Sequence, residues 1–121
     1  MKKSTLRNKC DKLLQDYIKA KHKGELCWLC GNRPMSVGHH YVLKSQANST
    51  RFYLPNIIPL CQNCHCDIHS HPSMNNAKIA FKLGKEWYDD LEDRKHQGQK
   101  FSTEWVKTNF DILTDLMKGL E

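Results

Sequence analysis

The stretch CWLCGNRPMSVGHHYVLKSQANSTRFYLPNIIPLCQNCHCDIHSH, from Cys27 to His71, decides how this chain is read. Two CxxC pairs, Cys27/Cys30 and Cys61/Cys64, bracket a histidine pair, His39 and His40, with Asn56, His65 and His69 further on. Five of the chain's seven histidines lie in this window. Cysteine and histidine gathered so densely in a polar stretch indicate a fold built around metal. Four cysteines in two CxxC pairs can close a tetrahedral zinc site with no open position, which makes that site structural. The even cysteine count also permits a disulfide framework. The paired spacing and a reducing compartment favour metal over disulfides.

Local patterning places these residues on elements. Residues 35–43, MSVGHHYVL, predict a short strand, and Gly38 inside it marks a bulge or a close backbone approach. Neighbours on a strand point to opposite faces, so His39 and His40 are expected to have different roles. Residues 44–55 form a polar loop. Its Arg51 is a candidate phosphate contact, weighed evenly against an exposed loop arginine with no role. Residues 56–60, NIIPL, predict a second strand, which Pro59 keeps out of a sheet centre. Residues 61–71 carry the second CxxC pair into a short helix that Pro72 ends. On it His65 and His69 stand at i and i+4 and can share one metal.

With His39 these two make three ligands, which leaves room for water or substrate, as a catalytic metal requires. His40 beside them is a candidate general base, and a base needs its other ring nitrogen held by an acceptor. A side-chain or backbone carbonyl of Asn56 is the candidate acceptor.

Outward from this window the chain reads as helices. Residues 4–22 carry Leu6, Cys10, Leu13, Leu14 and Tyr17 on one stripe, with Ser4 as a candidate N-cap and Gly24 as a stop. Cys10 on that stripe is expected to be a buried thiol, not a ligand. Residues 74–97 predict a second long helix with Ala77, Ala80, Phe81, Gly84, Trp87, Tyr88 and Leu91 on one face. Residues 103–119 predict a third, capped by Ser102 or Thr103. These last two helices are expected to pack on the core or to form a dimer seam. His22 and His96 are expected to be solvated, and His71 to cap the short helix.

The 121 residues suit one domain, and an apolar share of 39% makes metal a needed supplement to the core. The formal charge of +6 is carried by residues 1–24, with eight Lys/Arg against two Asp/Glu. Residues 25–72 hold three against two, and residues 73–121 eight against nine. A basic segment beside a metal site suits nucleic acid, with Lys9, Lys12 and Lys19 as candidate phosphate contacts off the apolar stripe. A solvated lysine face is the plainer explanation of the same charge. No run of about eighteen apolar residues predicts a membrane span, and no apolar region after the N-terminus predicts a signal peptide.

The order His39-His40, Asn56, His65, His69 resembles the HNH endonuclease family, with a spacing similar to its colicin-type DNases. The framing CxxC pairs are similar to its zinc-containing phage and bacterial branch. The segment GHHY with a downstream RF…N also resembles, more loosely, phage recombination nucleases that act on branched DNA. The HNH resemblance covers roughly Cys27 to His71. It implies an α+β fold: a ββα-metal (His-Me finger) core over 25–72 with a zinc clip, flanked by a basic helix over 1–24 and helices over 73–121. It implies a metal-dependent DNA endonuclease in the host cytoplasm, acting on duplex DNA. His40 would be the base, oriented by Asn56. His39, His65 and His69 would hold the catalytic metal, and Cys27, Cys30, Cys61 and Cys64 the structural Zn²⁺. Many zinc-containing members carry Asp where this chain has His39, which leaves the catalytic metal open among Mg²⁺, Mn²⁺, Ni²⁺, Co²⁺ and Zn²⁺. The reading set against this one is a non-catalytic zinc module that binds DNA or a protein.

Overall fold

The computed structural model describes residues 3–121, with the side chains of Lys3 and Ser4 outside that description. The elements run α1 (Lys3–Lys21), β1 (Val37–His40), a single 3-10 turn (Leu54–Asn56), β2 (Ile57–Leu60), α2 (Gln62–Ser70), α3 (Pro72–Leu83), α4 (Lys85–Lys95) and α5 (Thr103–Lys118). The result is an α+β architecture: a small antiparallel sheet carried by helices. Among the described residues no helix is long and apolar enough to cross a membrane.

The strands pair in continuous register, Val37 with Leu60 through His40 with Ile57. With only two strands both are edges, so Pro59 costs no ladder bond. No bulge interrupts β1; Gly38 is instead a point of close approach. A Cβ there would stand 2.6 Å from Ile57 Cγ2 and 3.2 Å from Ile18 Cγ2. Gly38→Ala is therefore expected to destabilise the domain by about 1–3 kcal/mol, read as a lower midpoint in urea unfolding. A midpoint equal to wild type would show that α1 and β2 give way freely.

β1 is shorter than its sequence pattern because the chain leaves the ladder after His40. The Tyr41 N–H reaches the Asn56 carbonyl (2.9 Å) and the Val42 N–H the Asn56 side-chain oxygen (2.7 Å).

Two apolar clusters flank the sheet. Cys10, Leu14, Tyr17 and Ile18 of α1 meet Phe52, Ile57, and Val106 and Leu113 of α5 in the first. The Cys10 thiol donates weakly to the Val106 carbonyl, and burial pushes its pKa up to about 12, so it is the inert thiol expected. Leu29, Ile58, Leu60, Ile68 and Ile79 form the second, with Cys27 and Cys61 among them.

α5 thus spends its inner stripe on α1, and the Ser102 hydroxyl caps it by accepting the Trp105 N–H. Ile112 and Leu116 on its outer side stay exposed, as does Leu120 just past its end. Ser4 lies inside α1, so its expected capping role falls on a side chain outside the description.

The predicted helix over 74–97 is two helices. Gly84 sits at φ 96° and breaks the chain between α3 and α4. The break also resets the buried face. Asn75 and Ile79 of α3 turn inward, while Phe81, expected in the stripe, is 90% exposed.

Candidate metal centres and their cleft

The first CxxC turn is shaped by its backbone. The Cys27 N–H reaches the Arg33 carbonyl (2.7 Å), the Gly31 N–H reaches the Cys27 carbonyl (2.9 Å), and Gly31 takes φ 67°. The second pair starts α2, where Cys61 is the N-cap and its sulfur accepts the Cys64 N–H. Sulfurs of Cys27 and Cys30 likewise accept the Leu29 and Asn32 N–H groups.

The four sulfurs lie within 4.8 Å of one another, with Cys30 and Cys61 3.9 Å apart. A tetrahedron of Zn–S bonds about 2.3 Å long has sulfurs about 3.8 Å apart, so the residues fit zinc. The Asn32 N–H, helped by Arg33, pulls the Cys30 thiol down to about 6, against its burial. Burial and the thiols of Cys61 and Cys30 push Cys64 up. A cation at the centre removes that conflict by stabilising all four thiolates.

The second cluster joins the sheet to α2. His39 on β1 meets His65 and His69 on α2, with one ring nitrogen from each lying within 4.8 Å of the others. The Nε2 atoms of His65 and His69 are 3.3 Å apart. Two imidazole nitrogens on one tetrahedral ion, each about 2.0–2.1 Å from it, stand about 3.3–3.4 Å apart. The residues therefore fit a divalent ion. Burial pushes His39 down to about 4, with His65, His69 and His40 adding to the effect; burial, then His69, lowers His65. Neutral imidazoles are the form that ligates. His39 is buried, while His69 is exposed, so the cluster opens on one side. It opens into a cleft of about 480 Å³ that also holds His40, Asp11 and Lys44.

His40 lines this cleft half-buried, with its Nε2 2.8 Å from the Arg51 carbonyl. A carbonyl only accepts, so Nε2 carries the proton and Nδ1 the lone pair. Burial lowers the His40 pKa, with the Arg51 carbonyl opposing. Asn56 is not the group that orients this ring. Its Oδ1 is taken by the Val42 N–H, and its Nδ2 donates to the carbonyls of Val42 and Thr50 (3.0 and 3.1 Å). It pins the loop that supplies the Arg51 carbonyl.

Arg51 is not the exposed loop cation its sequence position suggests. Its guanidinium forms a bidentate pair with Asp11 (3.1 and 2.7 Å), at 12% and 20% side-chain exposure.

The basic face of α1 is as expected: Lys9, Lys12 and Lys19 are all exposed, and Lys12 pairs with Asp16 at 2.8 Å. His22 is no solvated residue, being 14% exposed, bonded to Glu25 and edge-on to Trp28. His71 caps α2 as expected.

Lys44 at the cleft is a residue that sequence reasoning missed. Its place four residues after His40 is the only sequence signal for it. Asp11 and Gln15 also line the cleft, and only tertiary packing reveals them.

The fold and the sites define a helix-rich domain with a four-cysteine cluster beside a three-histidine cluster. The chain belongs to the family of the bacteriophage lambda NinG protein, whose family model matches residues 1–121. No curated protein and no solved structure gives a significant match. This match corrects the resemblance to the HNH endonuclease family. That resemblance rested on a few ligand residues within 27–71, which any metal site of this layout needs. The NinG match spans those residues and the flanking helices together.

Proposed function

We propose that the chain is a metal-dependent DNA endonuclease whose metal-holding unit is β1, β2 and α2. The observation that carries this reading is His40. It is a fourth imidazole in the same cleft as the three-histidine cluster, with one nitrogen fixed on a carbonyl and the other left with its lone pair. A site that only holds a structural metal has no use for such a group.

A divalent ion held by His39, His65 and His69 would supply positive charge against a phosphate oxygen and the leaving oxygen. The His40 Nδ1 takes a proton from water as the water oxygen bonds to phosphorus. The bond from phosphorus to the 3′ oxygen then breaks and that oxygen takes a proton from solvent, leaving a 5′-phosphate and a 3′-hydroxyl. Lys44 faces the incoming phosphate from the cleft, and Lys9 and Lys19 on α1 meet the flanking backbone. The cysteine cluster holds zinc and takes no part in the step. Contacts of this kind recognise phosphate rather than base, which suits duplex DNA of any sequence.

The expected result with zinc-loaded protein and Mn²⁺, Ni²⁺ or Mg²⁺ is plasmid nicks that DNA ligase reseals, since ligase needs a 5′-phosphate beside a 3′-hydroxyl. Plasmid shifted on a gel yet intact with every metal would favour a zinc-stabilised binding module.

A further inference from the structure

We propose that Asp11, on the N-terminal helix, is a positioning residue for His40, acting through Arg51. The inference rests on the endonuclease reading for its effect on rate, but the geometry stands without it. Asp11 and Arg51 are 40 positions apart in the chain and meet through both guanidinium nitrogens that face the carboxylate. The same residue, Arg51, presents its backbone carbonyl to His40 Nε2 at 2.8 Å. A two-point fork fixes the guanidinium in plane as well as in distance, and a lysine point charge does not. The side chain of Arg51 therefore anchors the peptide that its own carbonyl belongs to.

The neighbouring supports agree with this reading. Asn56 Nδ2 donates to the carbonyl of Thr50, the residue before Arg51. One turn along α1, Gln15 clamps the strand that carries His40. Its Nε2 donates to the Gly38 carbonyl (2.7 Å), and its Oε1 accepts the Gly38 N–H (2.9 Å). Asp11 and Gln15 lie at i and i+4, on one face of α1, and both line the cleft. One helix turn thus holds the strand that bears the ring and the loop that sets its tautomer. On this account α1 is part of the catalytic scaffold, in addition to any phosphate contacts on its exposed side.

The test compares wild type, Asp11→Asn, Asp11→Glu and Arg51→Lys in the full zinc-loaded chain. Two readouts are used: plasmid nicking resolved into kcat and KM, and nitrogen NMR of ¹⁵N-labelled histidine. The His40 signals are identified from their loss in His40→Gln.

In wild type His40 is expected as a single Nε2–H tautomer with a slowly exchanging proton. Asp11→Asn and Arg51→Lys are expected to mix the tautomers and to lower kcat about ten- to hundred-fold with KM unchanged. Asp11→Glu, which keeps the carboxylate, recovers much of both. If Asp11→Asn only lowers the melting temperature, with the His40 tautomer and kcat as in wild type, the pair is a plain structural staple and the inference is overturned. If wild type itself cleaves nothing, the endonuclease reading falls. The NMR comparison still decides whether Asp11 sets the ring.

Discussion

Cys27→Ser is expected to give a chain that has lost its structural zinc and does not fold. The reason is the place of this sulfur in the core. Cys27 is 2% exposed and packs with Leu29, Ile58, Leu60, Ile68 and Ile79. Structural zinc in small domains contributes on the order of 10 kcal/mol or more of folding free energy. A domain of this size has a total stability of about 5–15 kcal/mol. Losing one of four ligands therefore removes a sum comparable to the whole. It also leaves three sulfurs crowded with no cation among them.

The same arithmetic predicts that strong chelators unfold the wild-type domain once they strip the cysteine site. Circular dichroism melts with zinc content by elemental analysis are the check, with Cys66→Ser as a control. Cys66 is exposed on α2 and lies outside the four-cysteine cluster, so its loss should change neither readout. A Cys27→Ser protein that melts like wild type would show the cluster to be a set of ordinary thiols.

His40→Ala is expected to separate activity from stability in the opposite way. Its fold, zinc content and affinity for the second metal should be close to wild type, because His40 belongs to neither ligand set. Losing the hydrogen bond to the Arg51 carbonyl costs about 1 kcal/mol. His40→Gln restores a donor for that carbonyl but offers no basic nitrogen. Both variants are expected to nick plasmid about 10²- to 10⁴-fold more slowly, the usual contribution of a positioned general base. His39→Ala should differ from both, since it removes a metal ligand. Its loss of rate should be partly recovered by raising the metal concentration, whereas that of His40→Ala should not. Equal nicking by His40→Ala and wild type would show that the ring is not the base.

Much of this was legible in the sequence, for a physical reason: metal ligands and helix stripes are written in local spacing. The two CxxC pairs, the i, i+4 histidines on α2 and the stripe of Cys10, Leu14 and Tyr17 needed only the period of a helix or a knuckle. What could not be read depends on partners distant in the chain. Arg51 looks like a free loop cation until Asp11, forty positions earlier, is placed beside it.

The HNH resemblance gives Asn56 the role of holding His40. In the fold the kink after β1 brings the Val42 N–H to its side chain, and the Arg51 carbonyl reaches the ring instead. Gly84 could be read as one more small residue on a helical face, since its positive φ is a property of the folded backbone. Family membership shows a similar limit. A motif of a few ligands covers only the middle of the chain, while the NinG match includes the helices that support it.

The most direct test of the central claim is metal add-back on supercoiled plasmid. Protein is freed of weakly held divalent ions by a brief EDTA wash, and zinc content and circular dichroism confirm that the cysteine zinc and the fold are retained. The protein is then given Mg²⁺, Mn²⁺, Ni²⁺, Co²⁺ or Zn²⁺ in turn. The account predicts no nicking in EDTA and its return with at least one of these ions. Folded, zinc-bound protein that binds plasmid and leaves it supercoiled with all five would contradict the account.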